Sequence, residues 1–257
     1  MPTMASSPPA RPRLVAVDDA DPAVAAPRRS QVNLANQAYQ RIEEMLICCQ
    51  LEPGRFLATH ELQALTGFGR TPVHQAVNRL AADTLVHITP RHGIRIAPID
   101  LTRERRLLGL RRDMERFVIR LATERSGASE RNRLQHLRRQ LVGHGADMTI
   151  AQFNVVDRSI DQALMAAADE PFIEGTLRPL HTLFRRIGWL YHMQTPGQTH
   201  LQATIDGHVA VVDAVAEGRS TDAIAASDAL MDFVDRMFDV LEREVAPDLL
   251  DCTLGAG

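Results

Sequence analysis

The sequence predicts a mainly α-helical chain in two parts: a small helical module closed by a β-hairpin, then an antiparallel all-helical bundle. Three observations carry this reading. From Leu101 to about Glu244 apolar residues recur at helical spacing, cut only by short Gly, Pro and Ser breakers. β-like runs occur in one place, Leu85–Ile88 and Ile94–Ala97, joined by the turn-rich Thr89–Gly93. Aromatic residues make up 4% of the chain, too few for a sandwich or barrel of aromatic-rich strands.

A length of 257 residues suits one large domain or two ordinary ones. At 45% hydrophobic and 24% charged, the composition excludes wholesale disorder and fibrous repeats. No long apolar run offers a membrane span, and the Pro-rich start lacks the apolar core of a signal peptide. Cys48, Cys49 and Cys252 form no CxxC and are odd in number, which predicts reduced thiols and a cytoplasmic protein without a membrane anchor. All 29 Lys-plus-Arg residues are arginine. The net charge of −3 conceals an asymmetry: residues 101–143 hold 12 Arg against 5 acids, and residues 144–257 hold 7 Arg against 18 acids. So acidic a molecule can meet nucleic acid only through a local basic patch.

Taken in order, residues 1–30 are rich in Pro, Ala, Ser and Arg without periodicity and predict a disordered arm. A first domain is expected over 31–98. Its first helix starts near Asn33, carries Leu34, Ala38, Ile42, Met45 and Leu46 on one stripe, and stops before Pro53-Gly54. Thr59 is placed to cap a short second helix to about Leu65, which Gly67-Phe68-Gly69 interrupts. Thr71-Pro72 suits the start of a third helix, with a hydroxyl at the cap and a proline that needs no donor; Val73, Ala76, Val77 and Leu80 form its apolar stripe. The second domain, 99–246, is expected to hold helices near 101–126, 130–143, 149–168, 171–193, 198–217 and 220–244, joined by links short enough for antiparallel neighbours. Residues 247–257 read as a frayed tail.

Helix, helix, tight turn, helix and hairpin is the order of a winged helix-turn-helix, whose third helix enters the major groove of DNA. Its outward residues here are Arg70, Thr71, His74, Gln75 and Arg79, with Pro72 at the start and His60 on the helix before. Arginine can grip O6 and N7 of guanine together, and glutamine can pair with adenine. The hairpin tip offers Arg91, His92 and Gly93, the glycine allowing a close backbone approach. From Phe68 to Arg95 there are four Arg and one acid, Asp83. By pattern alone, a fragment of an ordinary α+β domain would read the same way.

The residues themselves go further. Leu51-Glu52-Pro53-Gly54, Glu61–Leu65, Arg70-Thr71-Pro72-Val73, Leu80, Leu85-Val86 and Pro90–Gly93 together resemble the GntR superfamily of bacterial transcription regulators. Three positions depart from that pattern: His74 stands where arginine is usual, Gln75 where Glu is common, and Thr84 where Gly precedes the first strand. A neutral imidazole has one donor and no fixed charge, so operator preference is expected to differ from that of relatives.

The likeness continues into the helical half. Arg111–Glu115 resembles the Arg-x-x-Leu-Glu opening of the FCD (FadR C-terminal) domain, as do Asn154–Asp157, Pro171-Phe172, Leu177–His181, His208–Val215 and Gly218 further on. The resemblance spans about residues 33–243. It implies an FCD-like bundle with a small-molecule effector in its core, and a homodimeric repressor released from a palindromic DNA operator by an organic-acid or aromatic metabolite. Arg111, whose planar fork suits a carboxylate, is the expected anchor in that pocket, with Arg185 and Arg186 beside it. Many members also hold a metal through an Asp and a His one helical turn apart, plus two His on the last two helices. The corresponding positions are Asp157, Asp161, His208 and Leu230, so the implied site for Zn, Mn or Ni is degenerate, with Leu230 unable to ligate. His181, His192 or His200 could complete it.

Blander readings stand beside these. Asp157 and Asp161 could form a solvated helix face, His208 a core residue, and Arg111 with Glu115 an i,i+4 surface pair. Trp189, Tyr191 and Phe184 either pack in the core or line an apolar effector pocket. A rival function, a helical metal-dependent enzyme using Asp157, Asp161 and His208, lacks the Glu-x-x-His pairs of a di-iron bundle.

Overall fold

Apolar stripes at helical spacing build the first module. Helix α1 (Pro22–Ile47) is followed by β1 (Phe56–Leu57), α2 (Thr59–Thr66), α3 (Arg70–Ala82), β2 (Val86–Thr89) and β3 (Gly93–Ile96) in this computed structural model, which describes residues 22–144, 147–194 and 198–255. Residues 1–21 of the expected arm lie outside the described residues. Its remainder is helical: α1 starts at Pro22, well ahead of Asn33, as fits a Pro at the first helical position followed by an Ala-rich turn. The buried α1 residues Ala38, Tyr39, Ile42 and Leu46 pack with Val73, Ala76, Val77 and Leu80 of α3 in one core. Two starts differ from expectation. Helix α2 follows Ala58, whose N–H donates to Glu61 Oε2 at 2.6 Å, and α3 is capped by Gly69 rather than Thr71. Pro72 therefore sits third in the first turn of α3, where its missing N–H is still among those the helix cannot satisfy. The sheet runs β1-β3-β2, all antiparallel, and its two-residue β1 was not foreseen.

The bundle holds α4 (Leu101–Arg125), α5 (Ala128–His144), α6 (Ile150–Ala168), α7 (Pro171–Gln194), α8 (Gln198–Ala216) and α9 (Ser220–Glu244). These agree with the periodicity to within two residues. Asp100 caps α4 by accepting from Arg103 N–H at 2.9 Å, and Thr149 caps α6 in a reciprocal pair with Gln152. The charge asymmetry resolves here. Arg105 of α4 bonds Asp235 and Asp239 of α9, Arg112 bonds Asp232, and Arg116 bonds Asp228. Such half-exposed pairs add little stability, but they match the basic α4 to the acidic α9 as its neighbour. Three of the twelve arginines in this stretch are thus an internal complement to α9.

The tail is not frayed. Residues Pro247–Leu250 form α10 and Cys252–Gly255 a 3-10 turn, and both lie against the first module. Ile99 N–H donates to Leu250 O and Cys252 N–H to Pro53 O, each at 2.8 Å, while Asp251 pairs with Arg95 of β3 at 3.0 Å. Gly54, at φ +83°, sits directly under Asp251: a Cβ there would come within 1.9 Å of Oδ1. No periodic pattern announces this return, because it consists of single contacts to distant residues.

Thr84 occupies a left-handed position, φ +60°, where a glycine costs nothing and a β-branched residue is strained. Its compensation is one long hydrogen bond from Arg103 Nη2 at 3.4 Å. Thr84→Gly should therefore raise stability by about 1 kcal/mol, read as a higher thermal midpoint. A lower midpoint would show that the Arg103 contact outweighs the backbone strain.

Candidate functional site

The first turn of α3 presents a polar tip. Arg70, Thr71, His74 and Gln75 are exposed and Pro72 is half-buried, while Val73, Ala76, Val77 and Leu80 on the other side are buried. His74 Nδ1 lies 3.3 Å from Asn78 Nδ2 one turn on. Arg91 and His92 are exposed at the end of the β2–β3 hairpin, and His60 is exposed on the first turn of α2. Gly93 has an internal reason for its identity. At φ +97° a Cβ would come within 2.6 Å of the Leu57 carbonyl, so glycine lets β1 close on β3, whatever approaches from outside. Arg79 does not belong to the tip. It stacks over the Tyr39 ring at 4.3 Å and donates to Asn36 Oδ1 at 2.6 Å, both on α1. Nine positions are about two and a half helical turns, so Arg79 faces away from Arg70, a signal the sequence already held.

Between the module and the bundle lies a set of contacts that the sequence reading did not single out. The buried Glu43 of α1 accepts from Thr182 Oγ1 of α7 at 2.6 Å and pairs with Arg158 of α6 at 3.2 Å. Tyr39 OH donates to Asp83 at 2.8 Å, and Arg178 of α7 reaches the same carboxylate at 3.4 Å while lying over the Tyr39 ring. The available clue was Glu43 itself, a charged residue one turn from Tyr39 beside the buried stripe. Arg186, expected in the effector pocket, is instead committed to the linker. It donates to Ala97 O at 2.8 Å and pairs with the fully buried Glu104 at 3.1 Å.

The remaining expected effector residues do meet, in the core of the bundle. Arg185 donates to both Asp157, at 2.6 Å, and Asp161. His208 Nε2 faces Asp157 Oδ1 at 3.0 Å, and its Nδ1 lies 2.7 Å from the Thr204 carbonyl. His181 joins Asp161 at 3.0 Å to Glu115 at 2.8 Å, and Arg111 Nε donates to Glu115 at 3.1 Å. Asp157, Glu115, His181, Arg185 and Arg111 are buried, so the solvated-face reading of the aspartates fails, while Arg111 and Glu115 do form the i,i+4 pair, though inside. Burial alone would raise the Asp157 carboxyl, but Arg185 and His208 outweigh it and hold it well below the usual range. Burial likewise opposes charge at His181, yet Asp161 and Glu115 lift it from 6.5 to about 9; Glu115, despite burial, is held at about 2 by His181 and Arg111. The cavity enclosed by Arg111, Phe153, Asp157, Phe184, His208 and Leu230 measures about 50 Å³. Of the three aromatic side chains, Phe184 and Tyr191 are buried, and half-buried Trp189 lines a separate cleft with Cys48 and Arg158.

These residues do not fit a divalent metal. Asp157 has one oxygen on Arg185 and the other on His208, Asp161 is shared by Arg185 and His181, and Leu230 lines the same cavity without a donor. Both ring nitrogens of His208 already face acceptors, Asp157 Oδ1 and the Thr204 carbonyl, and Asp157 raises its pKa against the opposing burial. Arg111, His181, Arg185 and His208 already engage every carboxylate of this site, Glu115, Asp157 and Asp161. Among the described residues, no group of three or more His, Cys, Asp or Glu is disposed to hold a metal ion. His200 lies outside the residues whose side chains are described.

A winged reading head joined to a helical sensing bundle is the architecture of a one-component transcription regulator. The chain belongs to the GntR family: residues 34–96 match the bacterial regulatory proteins of that family, and residues 106–233 match the FCD domain. It is 28% identical over 210 residues to an HTH-type transcriptional regulator in an unstable DNA locus of Streptomyces ambofaciens, covering 80% of this chain and 84% of that protein. It is 30% identical over 149 residues to one in the TAR-I ttuE-ttuC' intergenic region of Agrobacterium vitis, covering 56% and 80%. The fold is similar to E. coli McbR/YncC, with a TM-score of 0.70 at 19% identity over 82% of this chain and 99% of that one. It is similar also to a GntR regulator from a Rhodococcus species, TM-score 0.61 at 15% identity over 80% and 97%. The chain is thus a DNA-binding transcription regulator and not an enzyme, so the metalloenzyme alternative falls.

The ion network sets a pH profile. His181, raised to about 9, contributes stability that is full below 6.5 and lost as pH rises through 9. Glu115, lowered from 4.5 to about 2, contributes stability that is full above 4.5 and lost as pH falls. Thermal midpoints should therefore be highest between pH 4.5 and 6.5. His181→Gln should flatten the alkaline limb, and an unchanged limb in that variant would contradict the assignment. Separately, Zn, Mn or Ni should not raise the midpoint and EDTA should not lower it; a stoichiometric ion surviving EDTA dialysis would overturn the misfit.

Proposed function

We propose that the chain is a ligand-responsive repressor that acts in the cytoplasm as a homodimer on a palindromic DNA operator and is released by a small organic-acid or aromatic metabolite. The observation that carries this reading is the polar tip of α3: Arg70, Thr71, His74 and Gln75 are exposed, as are Arg91 and His92 at the hairpin tip. One tip reads only a few base edges. Two tips on a two-fold axis can engage successive major-groove faces, about 34 Å apart. The sensing half contributes the core network of Arg111, Asp157, Asp161, Arg185 and His208, whose guanidinium groups suit a carboxylate effector. Membership of the family supports the DNA and effector roles, and no helix among the described residues is long and apolar enough to cross a membrane.

Footprinting on the promoter of its own gene, with light scattering for mass, tests the reading. A protected inverted repeat bound by two chains is expected, and an unprotected promoter with a monomeric protein would defeat it. Arg70→Ala should weaken specific binding by about 1–3 kcal/mol, with a steep salt dependence retained through phosphate contacts. Equal affinity of variant and wild type would reject a base-reading role for Arg70.

A further inference from the structure

Helix α9 passes through a two-residue joint, Val245-Ala246, into α10, which starts on Pro247 with its φ fixed by the ring. Three consecutive residues then fasten to three parts of the first module and its linker. Leu250 O accepts from Ile99 N–H of the linker, Asp251 Oδ2 from Arg95 Nη2 of β3, and Cys252 N–H donates to Pro53 O in the turn before β1. Arg95 also donates from Nε to Gly54 O at 3.3 Å, and Thr253 donates its N–H and hydroxyl to Asp251 Oδ1, which fixes the carboxylate in its seat over Gly54. Gly54 N–H in turn donates to Ile96 O, so the turn and the wing strand are held as one piece. At its other end this clip continues a wall of the bundle core. Leu230, Met231, Val234 and Met237 of α9 line the cavity shared with Arg111 and His208. Met237 stands two turns before α9 ends at Glu244, about 10 Å away. The core cavity, about 50 Å³, suits a water or two, so a metabolite enters only by displacing its walls.

We propose that residues 247–255 form a clip that carries occupancy of the bundle core to the wing, with Asp251 as its positioning residue. The inference rests on the effector-responsive reading above, keeps the effector in the core, and names the route out of it. A ligand that needs α9 displaced disfavours the placement in which Asp251 sits on Arg95 and Gly54, because a joint of two residues leaves little slack between α9 and the clip. Arg95 lies three residues from His92 at the wing tip, so that placement sets where the wing meets a duplex. Linkage makes the effect reciprocal: a duplex that favours the clipped placement weakens binding in the core by the same factor.

The test compares the full chain with Asp251→Ala and with the chain ended at Ala246, each with and without Gly188→Val as a fixed occupant of the core. Gly188 lines the core cavity and a Cβ there meets nothing within 4 Å, so the added side chain extends into the open space. Affinity is measured on the promoter DNA that wild type protects. Gly188→Val should weaken binding at least about fivefold in the full chain, and less than about twofold once the clip is cut or Asp251 is replaced. A residue that merely stabilised the fold would leave the two losses equal. Hydrogen exchange gives a second readout that does not need the valine variant to fold. Asp251→Ala should speed exchange at the Gly54 and Ile96 amides and leave those of Val77 and Leu80 in α3 unchanged. Equal loss from Gly188→Val with and without the clip, no loss in the full chain, or unchanged exchange at Gly54 and Ile96 overturns the proposal. A wild type that protects no DNA defeats the regulator reading and the clip with it; protected DNA without coupling sinks only the clip.

Discussion

A carboxylate buried in an apolar interface must find donors, and Glu43 finds them across the junction of the two halves. It is 4% exposed, and its donors come from α6 (Arg158) and from α7 (Thr182). Removing any one of these donors leaves a buried charge partly unpaired, which is far costlier than losing a surface pair. The same logic governs the linker, where Glu104 is completely enclosed and Arg186 meets it while also satisfying the Ala97 carbonyl. These two anchors, with the C-terminal clip on Pro53 and Arg95, fix how the reading module sits on the bundle. The placement is held by a few polar contacts of high individual cost.

The core network shows how one family scaffold can trade its cation. Asp157 and Asp161 of α6 meet through Arg185, His208 of α8 faces Asp157, and Leu230 lines the cavity beside it. A divalent ion would need the oxygens that Arg185 already occupies. An arginine reaching in from α7 supplies the positive charge and two directional hydrogen bonds to the paired carboxylates, which would otherwise repel each other. Once that guanidinium is in place, His181 bridges Asp161 and Glu115 and His208 faces the second oxygen of Asp157, so each carboxylate of the site meets a donor.

Periodicity gave the six bundle helices to within two residues because each is long, amphipathic and bounded by Gly, Pro or Ser breakers. The polar tip of α3 was equally legible, since Val73, Ala76, Val77 and Leu80 fix which face is buried and so which residues remain outside. What the sequence did not reveal are contacts between elements far apart in the chain. Asp251 and Arg95 are 156 positions apart, and nothing near Asp251 marks it as anchored. Asp157 and Asp161, four residues apart, look like any solvated helix face until α7 brings Arg185 against them. Charge on a helix is ambiguous in one dimension; burial, which decides its meaning, is a property of three. Thr84 is the opposite case, a local departure from glycine whose left-handed φ was implicit in the pattern it broke.

The position of Arg79 connects these points to function. A residue on the reading helix that turned toward DNA would report only on the operator, and one that turned into the core would report on nothing outside. Arg79 does neither: it lies on Tyr39, whose hydroxyl holds Asp83 at the end of the same helix and whose ring also carries Arg178 of the bundle. Helix α3 is thereby gripped near its C-terminal end by the sensing half while its N-terminal end is free to meet a duplex. A rigid helix transmits a tilt imposed at one end to the other, and an α3 of 13 residues is about 20 Å long. In the repressor proposed above, a shift at Arg178 and Tyr39 would act on the end of α3 opposite Arg70, without a contact in the groove itself.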